Sequence, residues 1–224
     1  MPAVADSLEL LDQRASPGEA AWNMALDEAL LATADSAVLR VYRWSRPTLS
    51  FGYFIPWESA AAVARDMVTV RRWTGGGLVE HGPDFTWSFI VPWQLPFSRQ
   101  RPLDSYEAIH RALAEALGKT GIDVTLAGKD IPAPAGGMCF AAPAPADLLL
   151  AGRKICGAGQ RRCRHGLLHQ GSICGVPLPD DFPMLLASRL AKNVRTYAVG
   201  RLPFHAAGEL VRLRYGTESW LRRR

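Results

Sequence analysis

Three consecutive glycines, Gly75, Gly76 and Gly77, lie between a strand-like run at 69–72 and a second one at 84–91 rich in Phe, Trp and Ile. Glycine is disfavoured inside helices and strands, so the triplet marks a break between extended segments rather than the opening of a helix. That excludes two common nucleotide cradles. No Gly-Lys-Ser/Thr follows, as a P-loop requires, and the spacing is not GxGxxG. What remains is a backbone able to approach a ligand closely, because no Cβ intervenes, with N–H groups that could face an anion or a carbonyl. Arg71 and Arg72 just before it could meet a carboxylate or phosphate. Taken alone, the segment reads more plainly as a turn with two solvated arginines.

Around this loop the chain mixes both element types. Residues 17–34 read as a helix, with Pro17 in its first turn and Trp22, Ala25, Leu26, Ala29 and Leu30 at helical spacing. Residues 38–44 and 48–52 read as strands, and 59–66 as a short helix. Residues 95–102 read as loop. Asp104 or Ser105 caps a second long helix that buries Tyr106, Ile109, Leu113, Ala116 and Leu117 and ends at Gly118 or Gly121. Residues 128–146 are dominated by Gly, Pro and Ala and read as loop. Runs at 147–150 and 153–157 flank Ala151-Gly152 and predict a hairpin. A strand follows at 167–173, then helices at 182–191 and 206–221. With no repeat and no composition break, the expectation is one domain over 1–224, of α+β class: a mixed, largely antiparallel sheet flanked by helices.

Charge and cysteines narrow the chemistry. The net charge of +5 suits an acidic partner and is weak grounds for nucleic acid, and none is expected. No stretch reaches the ~18 apolar residues of a membrane helix. The first fourteen residues carry Asp6, Glu9 and Asp12 and do not read as a secretory signal. A cytoplasmic protein with reduced thiols is the expectation. Cys156, Cys163, His165, His169 and Cys174 match no metal-ligand spacing and straddle a strand pair, so no metal is expected. Arg161, Arg162, Arg164 and His165 read as a solvated charged edge. Cys139, in the glycine- and proline-rich loop, could be a nucleophile. A thiol of pKa about 8.5 needs a nearby cation to be substantially ionised, and Lys154 is the nearest candidate. A small packed thiol is the plainer reading of Cys139 by itself.

Read together, these segments resemble a family. Arg71 to His81 resembles the glycine-loop motif of the biotin/lipoate protein ligase superfamily. Gly152-Arg153-Lys154-Ile155-Cys156-Gly157 resembles its lysine motif, Leu167 to Ile173 the strand that follows, and Trp22 to Ala29 its opening helix. Two chemistries occur there. Octanoyltransferases move an acyl chain from acyl carrier protein to a cysteine and then to a lysine. Lipoate-protein ligases activate the free acid with ATP and Mg. Met138-Cys139-Phe140 before the Asp-Leu hairpin, and Asp84-Phe85-Thr86-Trp87-Ser88, are similar to Bacillus-type octanoyltransferases. With its end at 224, the chain is expected to lack the extra domain of larger ligases. The glycine triplet itself is at least as ligase-like as transferase-like, and no biotin-loop pattern is found.

The resemblance implies Cys139 as the thioester nucleophile and Lys154 as the group that holds the acyl carbonyl and favours the thiolate. It implies Arg71, Arg72, Thr74, Gly75, Gly76, Gly77, His81, Gly157 and His169 as substrate-binding, with no cofactor. Burying roughly six methylenes at ~0.8 kcal/mol each contributes about 5 kcal/mol, enough to select a medium chain. The implied acceptor is a lipoyl domain of a 2-oxoacid dehydrogenase or the glycine-cleavage carrier protein. The alternative is an ATP-dependent lipoate-protein ligase, alone or with an accessory subunit. A transferase working between two lipoyl domains also fits.

Overall fold

The structure, a computed structural model, describes residues 4–128 and 142–223. In chain order its elements are β1 (Ala5–Asp12), α1 (Ala20–Thr33), β2 (Ala37–Tyr42), β3 (Thr48–Phe51), α2 (Trp57–Ala64), β4 (Val68–Arg71), β5 (Leu78–His81), β6 (Phe85–Pro92) and α3 (Pro102–Lys119). There follow β7 (Thr125–Leu126), β8 (Leu148–Leu150), β9 (Arg153–Cys163), β10 (Gly166–Ile173), α4 (Phe182–Leu190), β11 (Ala191–Thr196), α5 (Phe204–Leu210) and α6 (Glu218–Leu221). Eight strands form one sheet in the order β11-β1-β2-β6-β10-β9-β8-β7, and three form a small sheet, β4-β3-β5. In the large sheet β1 runs parallel to both β11 and β2, and every other junction is antiparallel. The mixed, mainly antiparallel α+β architecture is the one expected.

Period-two alternation gives the large sheet two different faces. Trp87, Phe89 and Val91 of β6 turn one way with Leu167 and Ile173 of β10, and pack under α3 and α4 through Ile109, Leu113, Leu186 and Leu190. Ile90 and Leu168 turn the other way, beneath Met24, Leu26 and Leu30 of α1. Each fully buried leucine contributes about 1.5–3 kcal/mol. The small sheet has its own core of Leu49, Phe51 and Leu78 against Ala60 and Ala64 of α2. The hairpin forms where it was expected, β8 and β9 turning through Ala151 and Gly152, both at positive φ.

Several boundaries differ from the sequence reading. The first helix starts at Ala20, not Pro17, because the N–H of Gly18 is bonded to the carbonyl of Arg43 and the chain is still extended there. The second long helix starts at Pro102, and Ser105 is no cap: its hydroxyl bonds back to the Pro102 carbonyl inside the first turn. The segment read as loop at 95–102 contains a single 3₁₀ turn, Pro96–Arg99. The expected helix over 206–221 is three pieces. α5 passes into a π turn, Val211–Tyr215, which ends at Gly216, and Thr217 caps α6 by accepting the N–H of Trp220. Strands β1, β5, β7 and β11 were not read from the sequence. Most of the glycine-, proline- and alanine-rich loop predicted at 128–146 lies outside the described residues. Among the described residues no helix is long and apolar enough to cross a membrane.

Candidate active site

The same alternation decides what faces the gap between the two sheets. Ser50 of β3 and Val79 and His81 of β5 point away from α2 and toward the large sheet. Opposite them stand Gly157 and Gly159 of β9, Gln170 and Ser172 of β10, and Thr86 of β6. These are cross-strand neighbours: Gly157 pairs with Ser172, Gly159 with Gln170, and Ser172 with Thr86. The cleft between them opens to solvent, and its empty space, solvent included, amounts to about 380 Å³. Trp44 and Met24 close its sides, and Gly76 of the glycine loop forms another wall. The loop lies directly on β9. A Cβ at Gly159 would sit 2.3 Å from the Gly75 carbonyl oxygen, so only glycine permits that approach.

Lys154 and Gly157 meet at the edge of this cleft. The buried ammonium of Lys154 is paired with Asp147 at 2.6 Å and is 3.4 Å from the Ala142 carbonyl. Asp147 is held in turn. It accepts from the Tyr106 hydroxyl at 2.5 Å and from the Ala144 N–H at 2.7 Å, and the Ala158 N–H donates to Tyr106 at 2.9 Å. Burial, with the Asp147 charge beside it, pushes the Tyr106 phenol well above its ordinary range, so it stays a donor. A Cβ on Gly157 would come within 2.7 Å of Lys154 Cε and 2.9 Å of its Nζ. The missing side chain is what seats the amine there.

A second polar chain crosses the cleft. Arg72 donates to Ser50 Oγ at 2.6 Å, and Ser50 Oγ lies 2.6 Å from His81 Nε2. His81 Nδ1 lies 2.7 Å from Asp84, whose Oδ2 also accepts from Ser172 at 2.6 Å and Thr86 at 2.8 Å. Trp44 stacks on His81 at 4.3 Å and donates to Thr86. Burial opposes ionisation of Asp84, but the hydrogen bonds from His81, Ser172 and Thr86 prevail and hold its carboxyl at about 2. Burial lowers the His81 imidazole despite Asp84, which keeps the ring neutral near pH 7.

The other residues anticipated from sequence fall in different places. Gly77 caps the loop, its carbonyl accepting from Arg72 at 2.8 Å and from the Gly52 N–H at 3.2 Å. Thr74 is buried behind the cleft and donates to Gln170, which reaches Asp27 at 2.7 Å; Asp27 is ion-paired with Arg40 at 2.7 Å. Arg71 and Arg72 are not a solvated pair, since both are buried. Arg71 turns away from the cleft and donates to the carbonyls of Tyr53, Ile55, Trp220, Leu221 and Arg223. His169 lies on the opposite face of the large sheet, stacked on Trp87 at 5.0 Å and accepting from Gln160. Cys139 lies outside the described residues. The arginine edge is also less solvated than expected. Arg161 stacks over Trp73 and Tyr53, Arg162 bonds Gln160 and Ser105, and only Arg164 is exposed. Among the described residues no three His, Cys, Asp or Glu side chains are grouped to hold a metal.

Sequence reasoning did not single out Ser50, Asp84, Asp147 or Tyr106 as site residues. Ser50 carried a trace in the alternation of Thr48-Leu49-Ser50-Phe51, and Asp84 in its spacing three residues after His81. Tyr106 was placed on the buried face of its helix for its ring, while the hydroxyl is what the site uses.

Residues 19–202 match the family described as the lipoyl protein ligase A/B catalytic domain. Among curated relatives, the chain is 35% identical over 172 residues to Octanoyltransferase LipM of Kyrpidia tusciae, covering 70% of this chain and 62% of that protein. It is 34% identical over 181 residues to Octanoyltransferase LipM of Staphylococcus aureus, covering 74% and 66%. The chain thus spans less than two thirds of the length of these relatives. Among solved structures, lipoate-protein ligase A bound with ATP superimposes with a TM-score of 0.76 at 20% identity, covering 97% of this chain and 98% of that one.

Proposed function

Since this chain belongs to the lipoyl protein ligase A/B catalytic-domain family, we propose that it is an octanoyltransferase of protein lipoylation. It moves a medium-chain acyl group from acyl carrier protein to a lysine of a lipoyl domain, in the cytoplasm, as a single catalytic domain that needs no cofactor. The curated relatives, named for octanoyl transfer, support the activity. The observation in the structure that carries the reading is the glycine-walled cleft with the buried Lys154–Asp147 pair at its edge.

In the proposed cycle Cys139 supplies the sulfur. Its thiolate attacks the carrier thioester, a new C–S bond forms, the carrier's C–S bond breaks, and the carrier's sulfur leaves as the thiolate. The acceptor's lysine amine then attacks the Cys139 thioester, the C–N bond forms, the cysteine sulfur leaves and the amine's proton is released. Negative charge builds on the acyl oxygen in both tetrahedral intermediates. The Lys154 ammonium, fixed by Asp147, answers it without reorganising. Arg72, Gly76, His81 and Gly157 shape the cleft that takes the chain. Arg71, Thr74, Gly75 and Gly77 act at one remove, by holding the loop and the strands beneath it. His169, behind the sheet, supports β9 through Gln160.

Incubation with octanoyl-acyl carrier protein followed by intact mass measurement tests the cycle. The expected product carries one octanoyl group released by neutral hydroxylamine, as thioesters are, and Cys139→Ala abolishes both that adduct and transfer to a lipoyl domain. Transfer that persists in Cys139→Ala and requires ATP would overturn the reading in favour of a lipoate-protein ligase.

A further inference from the structure

We propose that Ser50, with His81 as its base and Asp84 as the carboxylate that orients the base, is a second acyl-accepting centre in the cleft, through which water hydrolyses medium-chain acyl esters and thioesters. The proposal rests on the reading that the cleft takes an acyl chain. Its own ground is the set of hydrogen bonds around Ser50.

Their directions are fixed by chemistry. A guanidinium only donates, so at the 2.6 Å contact with Arg72 the Ser50 oxygen accepts. The Asp84 carboxylate only accepts, so His81 Nδ1 carries the ring proton and donates it to Asp84 at 2.7 Å. In the neutral ring Nε2 is then bare and accepts the hydroxyl proton of Ser50, 2.6 Å away. Asp84 accepts three further hydrogen bonds, from Ser172, Thr86 and the Gly82 N–H. The result is a serine whose proton already points at an unprotonated imidazole in the tautomer held by a carboxylate, the arrangement that activates a hydroxyl for acyl transfer. Arg72 Nη1, beside the oxygen, is a cationic donor within reach of a carbonyl oxygen bonded to that serine.

Position supports the same role. Ser50 and His81 both line the cleft, and Asp84 hangs over Ser172, the cross-strand partner of Gly157. Gly157 is where the Lys154 amine rests. Strands β3 and β5 are already joined by their backbone register, so the side-chain relay is not needed to hold them together.

In the first step Ser50 Oγ bonds to the acyl carbon and its proton passes to His81 Nε2. The bond from that carbon to the leaving thiol or alcohol breaks, and the leaving group takes the proton from His81. In the second step water attacks the acyl-serine, giving a proton to His81. The ester bond breaks, the proton returns to Ser50 Oγ, and the free acid departs.

The test uses the Cys139→Ala protein, p-nitrophenyl octanoate and a fluorophosphonate reagent. The expected results are steady release of p-nitrophenol and an octanoyl adduct that survives neutral hydroxylamine and yields to alkaline hydroxylamine. The fluorophosphonate label should map to the peptide containing Ser50. Ser50→Ala in that background removes both adducts and lowers hydrolysis by about 100-fold or more. Should Ser50→Ala fail to fold, the position of the label on the unaltered serine decides by itself. Hydrolysis unchanged in Ser50→Ala, or absence of any label on Ser50, would overturn the proposal. Octanoyl transfer to a lipoyl domain by the wild-type protein is measured in parallel. Transfer without a Ser50 adduct overturns this inference alone, whereas a Ser50 adduct without transfer sustains it and overturns the transferase reading.

Discussion

At Gly157 one missing carbon atom decides where the Lys154 charge sits. A methyl group there would press on the far end of the Lys154 side chain, at 2.7 Å from Cε, and lie 3.3 Å from Asp147 Oδ1. Because the displaced atoms belong to a flexible chain end, Gly157→Ala should still fold. The amine should swing off the cleft, and a misplacement of about 1 Å can cost ~100-fold in rate. The expected outcome is a fall in kcat of about 10- to 100-fold with a thermal midpoint close to wild type, read by a lipoyl-domain transfer assay beside a melting curve. Retained kcat would mean that the lysine works from elsewhere. The lysine motif and its glycine were visible in the sequence. The carboxylate opposite the amine and the tyrosine behind it were not singled out, because nothing local in Tyr106-Glu107-Ala108 says that the phenol ends on Asp147.

Among the elements, α6 is packed on the body of the protein by Trp220 and Leu221 and hydrogen-bonded to it through one guanidinium. Arg71, at the end of β4, donates to three carbonyls of the chain's last turn, at Trp220, Leu221 and Arg223, and to two of the loop after β3. Trp220 returns a bond from its indole N–H to the Arg71 carbonyl. Replacing the guanidinium strands several buried acceptors, each costing on the order of 1 kcal/mol or more, so Arg71→Ala is expected to lose about 3 kcal/mol of stability. Urea unfolding checks the magnitude, and faster proteolysis after Tyr215 checks that α6 is what comes loose. Patterning made α1, α3 and the hairpin legible, since each keeps one period for its whole length. β11 escaped because it is an edge strand: Lys192, Asn193, Arg195 and Thr196 are exposed and leave no apolar alternation to read. The helix over 206–221 was overdrawn because its apolar spacing continues through the π turn, whereas the break comes from the N–H of Gly216 bonding five residues back to Val211.

For the molecule as a whole, pH sensitivity follows from imidazoles buried without charge. Burial holds His110 at about 4, against 6.5 for a free side chain, and pushes His169 well below its ordinary value too. Between those limits the unfolded chain binds a proton that the native state refuses, so stability is full above about pH 6.5 and declines as pH falls toward 4. The His110 shift alone corresponds to about 3 kcal/mol at the acid end of that window. Urea midpoints measured at about pH 7 and about pH 5 are expected to differ accordingly, with His110→Gln showing a flatter dependence. A wild-type profile flat across that range would show the ring to be protonated in the native state.

The sequence by itself determined the class of fold, the glycine loop between two strands, the hairpin that carries Lys154 and the family to which the chain belongs. Each of these is written in short-range periodicity or in a contiguous motif. The tertiary structure alone decided that Arg71 clamps the chain's last turn while Arg72 enters the cleft, and that His169 stands behind the sheet while His81 stands in front of it. It also decided that Ser50, from one sheet, completes a relay with Asp84, which is anchored to the other. The physical reason is that side chains adjacent in sequence alternate across a strand, whereas partners in a site are set by which strands pair and by how closely two sheets can pack where glycine removes the side chains between them.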